Sequence, residues 1–196
     1  FELEAFCFSK TGVPILVPDG LPFDECGWLV EVRSQPDHDV VRAIHLLRAE
    51  QEKVQVWADR ANVTLLYEPF YDIPRDLKVQ AARKHEKGLL SFQNLYGFET
   101  HRTKLATASL HVSVTNQQRW GYADKNGVQQ YFKYQGFIDH AKLIVGLDTA
   151  FKDEIKAAKR NLGFYEVKPD GRIEYRSLPN TVDLAKLTSV LQNLFA

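Results

Sequence analysis

Four segments of the chain alternate between polar and apolar residues with the period of two that a β-strand produces. They are FELEAF at the N-terminus, WLVEVRS from residue 28, SLHVSVT from residue 109 and GRIEYRS from residue 171. Each segment predicts a strand with one apolar and one polar face. The polar faces carry Glu2, Glu4, Glu31, Arg33, His111, Ser113, Thr115, Arg172, Glu174 and Arg176.

The rest of the chain predicts further strands and three helical regions. VPILV (residues 13–17), NVTLLYEPF (62–70) and GFYEV (163–167) read as strands, and KPDG predicts a hairpin turn between GFYEV and GRIEYRS. The helical patterns cover residues 34–62 with a start at Pro36 and Asp37, residues 128–160 in two pieces with Asp148 and Thr149 as candidate caps, and the C-terminal segment capped by Thr181. We interpret residues 1–196 as a single α+β domain.

The amino-acid composition narrows the classes of function that this protein could have. The 196 residues include 25 Lys+Arg and 25 Asp+Glu, so the formal charge is zero, which argues against a general nucleic-acid or membrane-surface binder. The two cysteines lack metal-ligand spacing and are expected to be reduced. No apolar run approaches the length of a membrane span, and the N-terminus shows no signal-peptide pattern. We therefore expect a cytoplasmic protein. The absence of Met and the start within a predicted strand favour a trimmed fragment or omitted residues.

The side chains on the polar faces are unusual for a surface that only meets water. Glutamate, arginine and histidine dominate these faces and lysine is absent, whereas lysine usually dominates solvated surfaces. Carboxylates that share one face repel one another unless cations lie between them. Carboxylates with one imidazole suit Mg²⁺ or Mn²⁺, and arginines suit phosphate or carboxylate oxygens. This set of residues therefore favours phosphoryl-transfer chemistry over an ordinary wet face.

The order of these motifs resembles the glutamine synthetase and glutamate–cysteine ligase superfamily. The motifs are E-x-E, E-x-R, L-H-x-S and R-x-E-x-R, and they are most similar to those of the small phage-type amidoligases, which are carboxylate–amine ligases. The resemblance spans the chain from Glu2 to about Asn180. It implies a curved antiparallel sheet with helices on one side, a single catalytic domain over residues 1–196, and the cytoplasm of a bacterium or a phage-infected cell.

The resemblance also implies roles for individual residues. It implies metal ligation by Glu2, Glu4, Glu31, His111 and Glu174, catalytic roles for Arg33, Arg172 and Arg176, and nucleotide contacts by Ser113, Arg172 and Arg176. Ser113 departs from the family pattern, in which a second histidine commonly touches ATP phosphate. A serine hydroxyl can donate a hydrogen bond at that position but supplies no charge.

The implied reaction is ATP-dependent amide formation with Mg²⁺ or Mn²⁺ as cofactor. ATP would phosphorylate a carboxylate, and an amine would attack the resulting acyl phosphate. The expected partner is a small molecule or peptide that carries the carboxylate and the amine, with no nucleic acid and no membrane. The oligomeric state is left open.

Two functions other than the ligase remain compatible with the sequence. A guanidino-type kinase on the same fold would transfer phosphate without forming an amide, and a degenerate site would leave only a binding protein. The segment 82–104, which mixes basic and aromatic residues, fits a loop over the active site and fits a solvated loop about equally well.

Overall fold

The fold combines an antiparallel sheet with helices, which confirms the α+β class. The computed structural model describes residues 1–24, 26–84, 104–114, 119–123, 129–133, 139–168 and 172–196. Within these ranges the strands are β1 (Glu2–Ser9), β2 (Leu29–Arg33), β3 (Val63–Leu66), β4 (Phe70–Ile73), β5 (Lys104–Thr107), β6 (Leu110–Val114), β7 (Arg119–Ala123), β8 (Gln129–Lys133), β9 (Tyr165–Val167) and β10 (Ile173–Tyr175). The helices are α1 (Val40–Arg60), α2 (Arg75–Lys84), α3 (His140–Ala150), α4 (Lys152–Ala157) and α5 (Leu184–Phe195).

Strand β1 is the centre of the main sheet, whose order is β2-β1-β6-β10-β9 with β3 also paired to β1. Every pairing in this sheet is antiparallel. Phe6 lies opposite residues of both β2 and β3, and Glu2 lies opposite residues of both β2 and β6. Strands β6 and β3 therefore share one edge of β1, one after the other, and β2 occupies the opposite edge. The pairs β4–β5 and β7–β8 form separate two-stranded sheets.

One face of the main sheet carries the principal hydrophobic core. Leu3, Ala5 and Cys7 alternate along β1 and pack with apolar residues of the neighbouring strands. Helices α1, α3, α4 and α5 cover this face through side chains such as Leu47 and Leu147, both fully buried. Burial of this apolar surface is the main favourable contribution to folding.

The opposite face divides into an apolar half and a polar half. Along β1 the polar Glu2 and Glu4 are followed on the same face by Phe6 and Phe8. The two phenylalanines join a second buried cluster that includes residues of α2 and β4, such as Leu77. Helix α2 thus departs from the expectation that all helices pack on one side. The glutamates lie on the half that this second cluster leaves free.

Two helices begin a few residues later than predicted, because an aspartate further along the chain caps each of them. Helix α1 begins at Val40, after Asp39, whose carboxylate accepts a hydrogen bond from the Arg42 backbone N–H at 2.9 Å. Helix α5 is capped by Asp183 rather than Thr181. An aspartate at the N-cap satisfies backbone donors that have no partner inside the helix.

The predictions for residues 13–17 and 128–160 were wrong in part. Strand β8 occupies the start of the second segment, where pairing with β7 overrides the helical reading. Asp148 lies inside α3 and accepts a hydrogen bond from the Tyr175 hydroxyl, while Asp139 caps the helix. Near residue 14 only an isolated bridge from Pro14 to Phe8 forms, because proline has no N–H for a ladder.

The helices in the described part of the chain are each too short or too polar to span a bilayer.

Both cysteines are free and buried, and we expect them to be unreactive in the folded chain. Burial raises the pKa of the Cys7 thiol to about 11 and raises the pKa of Cys26 as well. Because the thiolate is the reactive form, iodoacetamide at neutral pH should leave the native protein unmodified. Intact-mass spectrometry should show two adducts only after denaturant is added. Rapid alkylation of the native chain would contradict this placement of the cysteines.

Candidate functional site

The pairing of four strands brings most of the predicted site residues onto one face of the sheet. Glu2 lies opposite Arg33 on one side and His111 on the other. Glu4 lies opposite Glu31, and Glu174 lies opposite Ser113. Residues directly opposite each other on antiparallel strands point to the same face, with Cβ atoms about 5 Å apart. Positions distant in sequence therefore meet in one polar patch.

Three of these side chains converge closely enough to hold one metal ion. His111 Nδ1 lies 3.3 Å from Glu2 Oε2 and 3.6 Å from Glu174 Oε1. One donor atom from each of the three residues lies within 4.8 Å of the other two. His111 and Glu174 are almost fully buried, with 2% and 1% exposure. We call Glu2, His111 and Glu174 the donor cluster.

The donor cluster fits a divalent cation by its chemistry and spacing. Two carboxylates and one imidazole match the ligand types of Mn²⁺ and Zn²⁺, and Mg²⁺ accepts the carboxylates with water. Ligand atoms that share an ion at about 2.1 Å lie roughly 3–3.5 Å apart at octahedral or tetrahedral angles. The donor distances at His111 fall close to that range. These residues therefore fit the cation that the sequence motifs imply.

Glu4 lies beside the donor cluster, and its Oε1 atom is 3.5 Å from His111 Nε2. Its Oε2 atom accepts hydrogen bonds from the Ser109 backbone N–H at 2.6 Å and from the Ser109 hydroxyl at 2.7 Å. The Asn180 side chain donates to the Glu4 carbonyl at 3.0 Å. The Ser109 hydroxyl also lies 2.8 Å from His111 Nε2. Sequence reasoning did not single out Ser109 or Asn180, although Ser109 shares the two-residue alternation of His111 and Ser113.

Glu2 and Glu31 form a carboxylate pair whose pKa values move in opposite directions. The hydrogen bond to His111 is the main cause that lowers the pKa of Glu2. Burial, followed by the neighbouring Glu2, raises the pKa of Glu31 to about 8. Arg33 contacts Glu31 Oε2 at 2.5 Å, but this contact does not outweigh burial and repulsion. Glu31 therefore retains its proton at neutral pH and shares it with Glu2.

Two cationic side chains contact the Glu174 oxygen that also lies near His111. Lys168 Nζ lies 3.2 Å from Glu174 Oε1, and Arg176 Nε lies 3.7 Å from the same atom. The Arg172 guanidinium donates to the Ser113 hydroxyl at 3.3 Å, and that hydroxyl lies 3.4 Å from Glu174 Oε2. Two of the predicted arginines, Arg172 and Arg176, thus lie with Ser113 beside Glu174. Sequence reasoning missed Lys168, which directly follows β9 rather than lying within an alternating strand.

Arg160 holds the backbone next to the site, and the sequence analysis did not identify it. Its guanidinium donates to the backbone carbonyls of Arg176 and Ser177 and to the Thr107 hydroxyl, the last at 2.6 Å. These bonds hold the chain immediately after β10, where Arg176 leaves the sheet. No sequence signal distinguishes Arg160 from the other basic residues of 156–160, because its role depends on carbonyls more than fifteen residues away.

We expect the metal-free protein to lose stability at alkaline pH because of Glu31. Its folded-state pKa lies above the ordinary 4.5, so proton binding favours the folded chain. This contribution is complete below pH 4.5 and is lost as the pH rises through about 8. Melting temperatures measured in a chelator across this range should fall less for Glu31→Gln than for the wild type. Parallel curves for the two proteins would contradict the proposed proton sharing.

Substitution of Arg160 by alanine should destabilise the fold strongly. The change leaves two backbone carbonyls without their charged donor, and each such loss costs roughly 1.5–3 kcal/mol. Urea denaturation should show a loss of about 3–6 kcal/mol in the free energy of unfolding. Arg48→Ala on the exposed face of α1 is the control and should change stability by less than about 0.5 kcal/mol. Equal effects of the two substitutions would contradict the anchoring role of Arg160.

Comparison with known proteins leaves the site to be interpreted from its own geometry. No protein-family model, curated protein or solved structure matches this chain.

Proposed function

We propose that this chain is an ATP-dependent carboxylate–amine ligase whose donor cluster holds a divalent metal ion, Mg²⁺ or Mn²⁺. The observation that carries the proposal is the convergence of Glu2, His111 and Glu174 from three strands, with three cationic side chains close by. The resemblance of the motifs to the amidoligases supplies the reaction class. The geometry supports a site for anions beside a cation.

The proposed reaction joins a carboxylate to an amine at the expense of ATP. A carboxylate oxygen attacks the γ-phosphorus, the bond to ADP breaks, and an acyl phosphate forms. The amine nitrogen then attacks the acyl carbon, phosphate leaves with the bonding electrons, and the nitrogen loses a proton. The metal ion, when bound, neutralises charge on the phosphate oxygens.

The protein's own cations are placed to bind and orient the anionic groups. Arg172 and Arg176 flank Glu174 on one side of the donor cluster, and Arg33 lies on the other side next to Glu2 and Glu31. Guanidinium groups bind phosphate and carboxylate oxygens with two parallel hydrogen bonds. Lys168 adds a point charge that is paired with Glu174 and Glu166. Positioning and charge neutralisation account for most of the catalysis in phosphoryl transfer.

Calorimetric titration tests the site directly. The wild type is titrated with Mn²⁺ and then with a non-hydrolysable ATP analogue, in the presence and absence of Mg²⁺. Glu174→Gln removes one donor, and we expect Mn²⁺ affinity to fall by more than about a hundred-fold, since even indirect partners of metal ligands are worth 10–100-fold. Binding of the analogue should depend on Mg²⁺ in the wild type and should be lost in the variant.

A matched control separates loss of the site from a general effect of removing a carboxylate. Glu52→Gln changes an exposed glutamate on α1, which packs on the opposite face of the sheet. Its Mn²⁺ affinity should equal that of the wild type. Unchanged Mn²⁺ affinity in Glu174→Gln, with the fold intact by circular dichroism, would contradict the proposal.

A binding protein without catalysis is the second candidate. It is favoured by the pairing of Glu174 with Lys168 and Arg176, which already neutralises this carboxylate without a metal ion. The uncharged Ser113, at the position where the resemblance implies a nucleotide contact, also favours a binding protein. Absence of both Mn²⁺ and nucleotide binding in the wild type would support this candidate. A product assay over candidate acids and amines decides between the ligase and a guanidino-type kinase, because only the ligase forms an amide.

A further inference from the structure

We propose that Ser109 and Glu4 act as positioning residues that hold His111 in the Nε2–H tautomer, so that Nδ1 is the nitrogen presented to a metal ion. Glu4 in this arrangement anchors the histidine instead of binding the metal itself. The inference rests on the metal site of the proposed function and assigns the ligating atom within it.

The argument begins with the single proton of the Ser109 hydroxyl. This oxygen lies 2.7 Å from Glu4 Oε2, which also accepts the Ser109 backbone N–H at 2.6 Å, and an ionised carboxylate offers only lone pairs. A contact of that length between two oxygens requires a proton between them, so the hydroxyl proton points to Glu4. The serine oxygen then has only lone pairs left for His111 Nε2, which lies 2.8 Å away. Nε2 must therefore carry the proton and donate it to Ser109.

The other ring nitrogen, Nδ1, is then the one that a metal ion would bind, in place of the proton that Nδ1 shares with Glu2 in the metal-free protein. Nδ1 faces Glu2 Oε2 at 3.3 Å and Glu174 Oε1 at 3.6 Å, the two carboxylates of the donor cluster. A metal-binding histidine usually donates its second N–H to a fixed acceptor, which sets the orientation of the ring. Ser109 supplies that acceptor here, and Glu4 fixes Ser109.

The position of Glu4 is itself held in place from three directions. Its Oε2 atom receives the Ser109 backbone N–H as well as the hydroxyl, and its carbonyl receives the Asn180 side chain. Glu4 and Ser109 are both buried, with 4% and 2% exposure. The Oε2 atom, held in this way, is suited to serve as a fixed acceptor for Ser109, and Oε1 lies 3.5 Å from His111 Nε2.

The tautomer can be read by nuclear magnetic resonance in the metal-free protein. Two-bond ¹H–¹⁵N spectra of the histidine rings are recorded in alkaline buffer, and the His111 signals are assigned by their absence in His111→Asn. We expect a protonated Nε2 in the wild type, because the Ser109 oxygen offers it only lone pairs, and a loss of this fixed protonation in Ser109→Ala. An unprotonated Nε2 in the wild type, or the same Nε2 protonation in Ser109→Ala, would overturn the proposal.

Metal affinity provides the second measurement. Mn²⁺ binding should weaken by about 10–100-fold in Ser109→Ala, the usual effect of losing the partner of a metal-binding histidine. Ser177→Ala is the control, because it also removes a fully buried serine hydroxyl but does not touch His111. Equal Mn²⁺ affinities in the two serine variants would count against the positioning role.

Glu4→Gln distinguishes an anchor from a ligand. The amide keeps an oxygen acceptor for Ser109, so an anchor tolerates the change with a few-fold loss of Mn²⁺ affinity and an unchanged tautomer. If Glu4 binds the metal, the loss should match that of Glu174→Gln, and the proposal fails. The tautomer is measured without metal or nucleotide, so its result stands even where the ligase reaction itself is not found.

Discussion

The hydrogen bonds between Glu4 and Ser109 tie strand β1 to strand β6, and the candidate site depends on this connection. The Glu4 backbone N–H donates to the Ser109 carbonyl at 2.9 Å, and Ser109 returns two hydrogen bonds to the Glu4 carboxylate. The next pair along these strands, Glu2 and His111, is thereby held in register across 109 positions of sequence. A slip of one residue would turn the histidine to the helix-packed face.

The polar half of the sheet is stable because its buried charges have partners. Buried carboxylates without partners are costly, yet Glu4, Glu31 and Glu174 are all nearly fully buried. Glu4 has Ser109, and Glu174 has Lys168 and Arg176. Burial instead raises the pKa of Glu31, which keeps its proton and shares it with Glu2.

The apolar half of the same face shows how one strand serves two purposes. Glu2 and Glu4 begin β1 at the site, whereas Phe6 and Phe8 continue the same face into the second hydrophobic cluster with α2. Helices α1, α3, α4 and α5 pack on the other face, where Leu3, Ala5 and Cys7 point. The sheet is therefore supported on both sides near the site, which limits the movement of the donor cluster.

The sequence alone determined the alternating strands and which side chains share their polar faces, because a strand has a strict period of two. It also predicted the donor cluster as part of a larger set of candidates. Only the tertiary structure decided which of those candidates meet, since strand order and register depend on long-range pairing that no local pattern records. Ser109, Lys168 and Arg160 became visible only then, because each acts on residues remote in sequence. The strand at residues 129–133 shows the same limit, because its pairing with β7 decided its conformation.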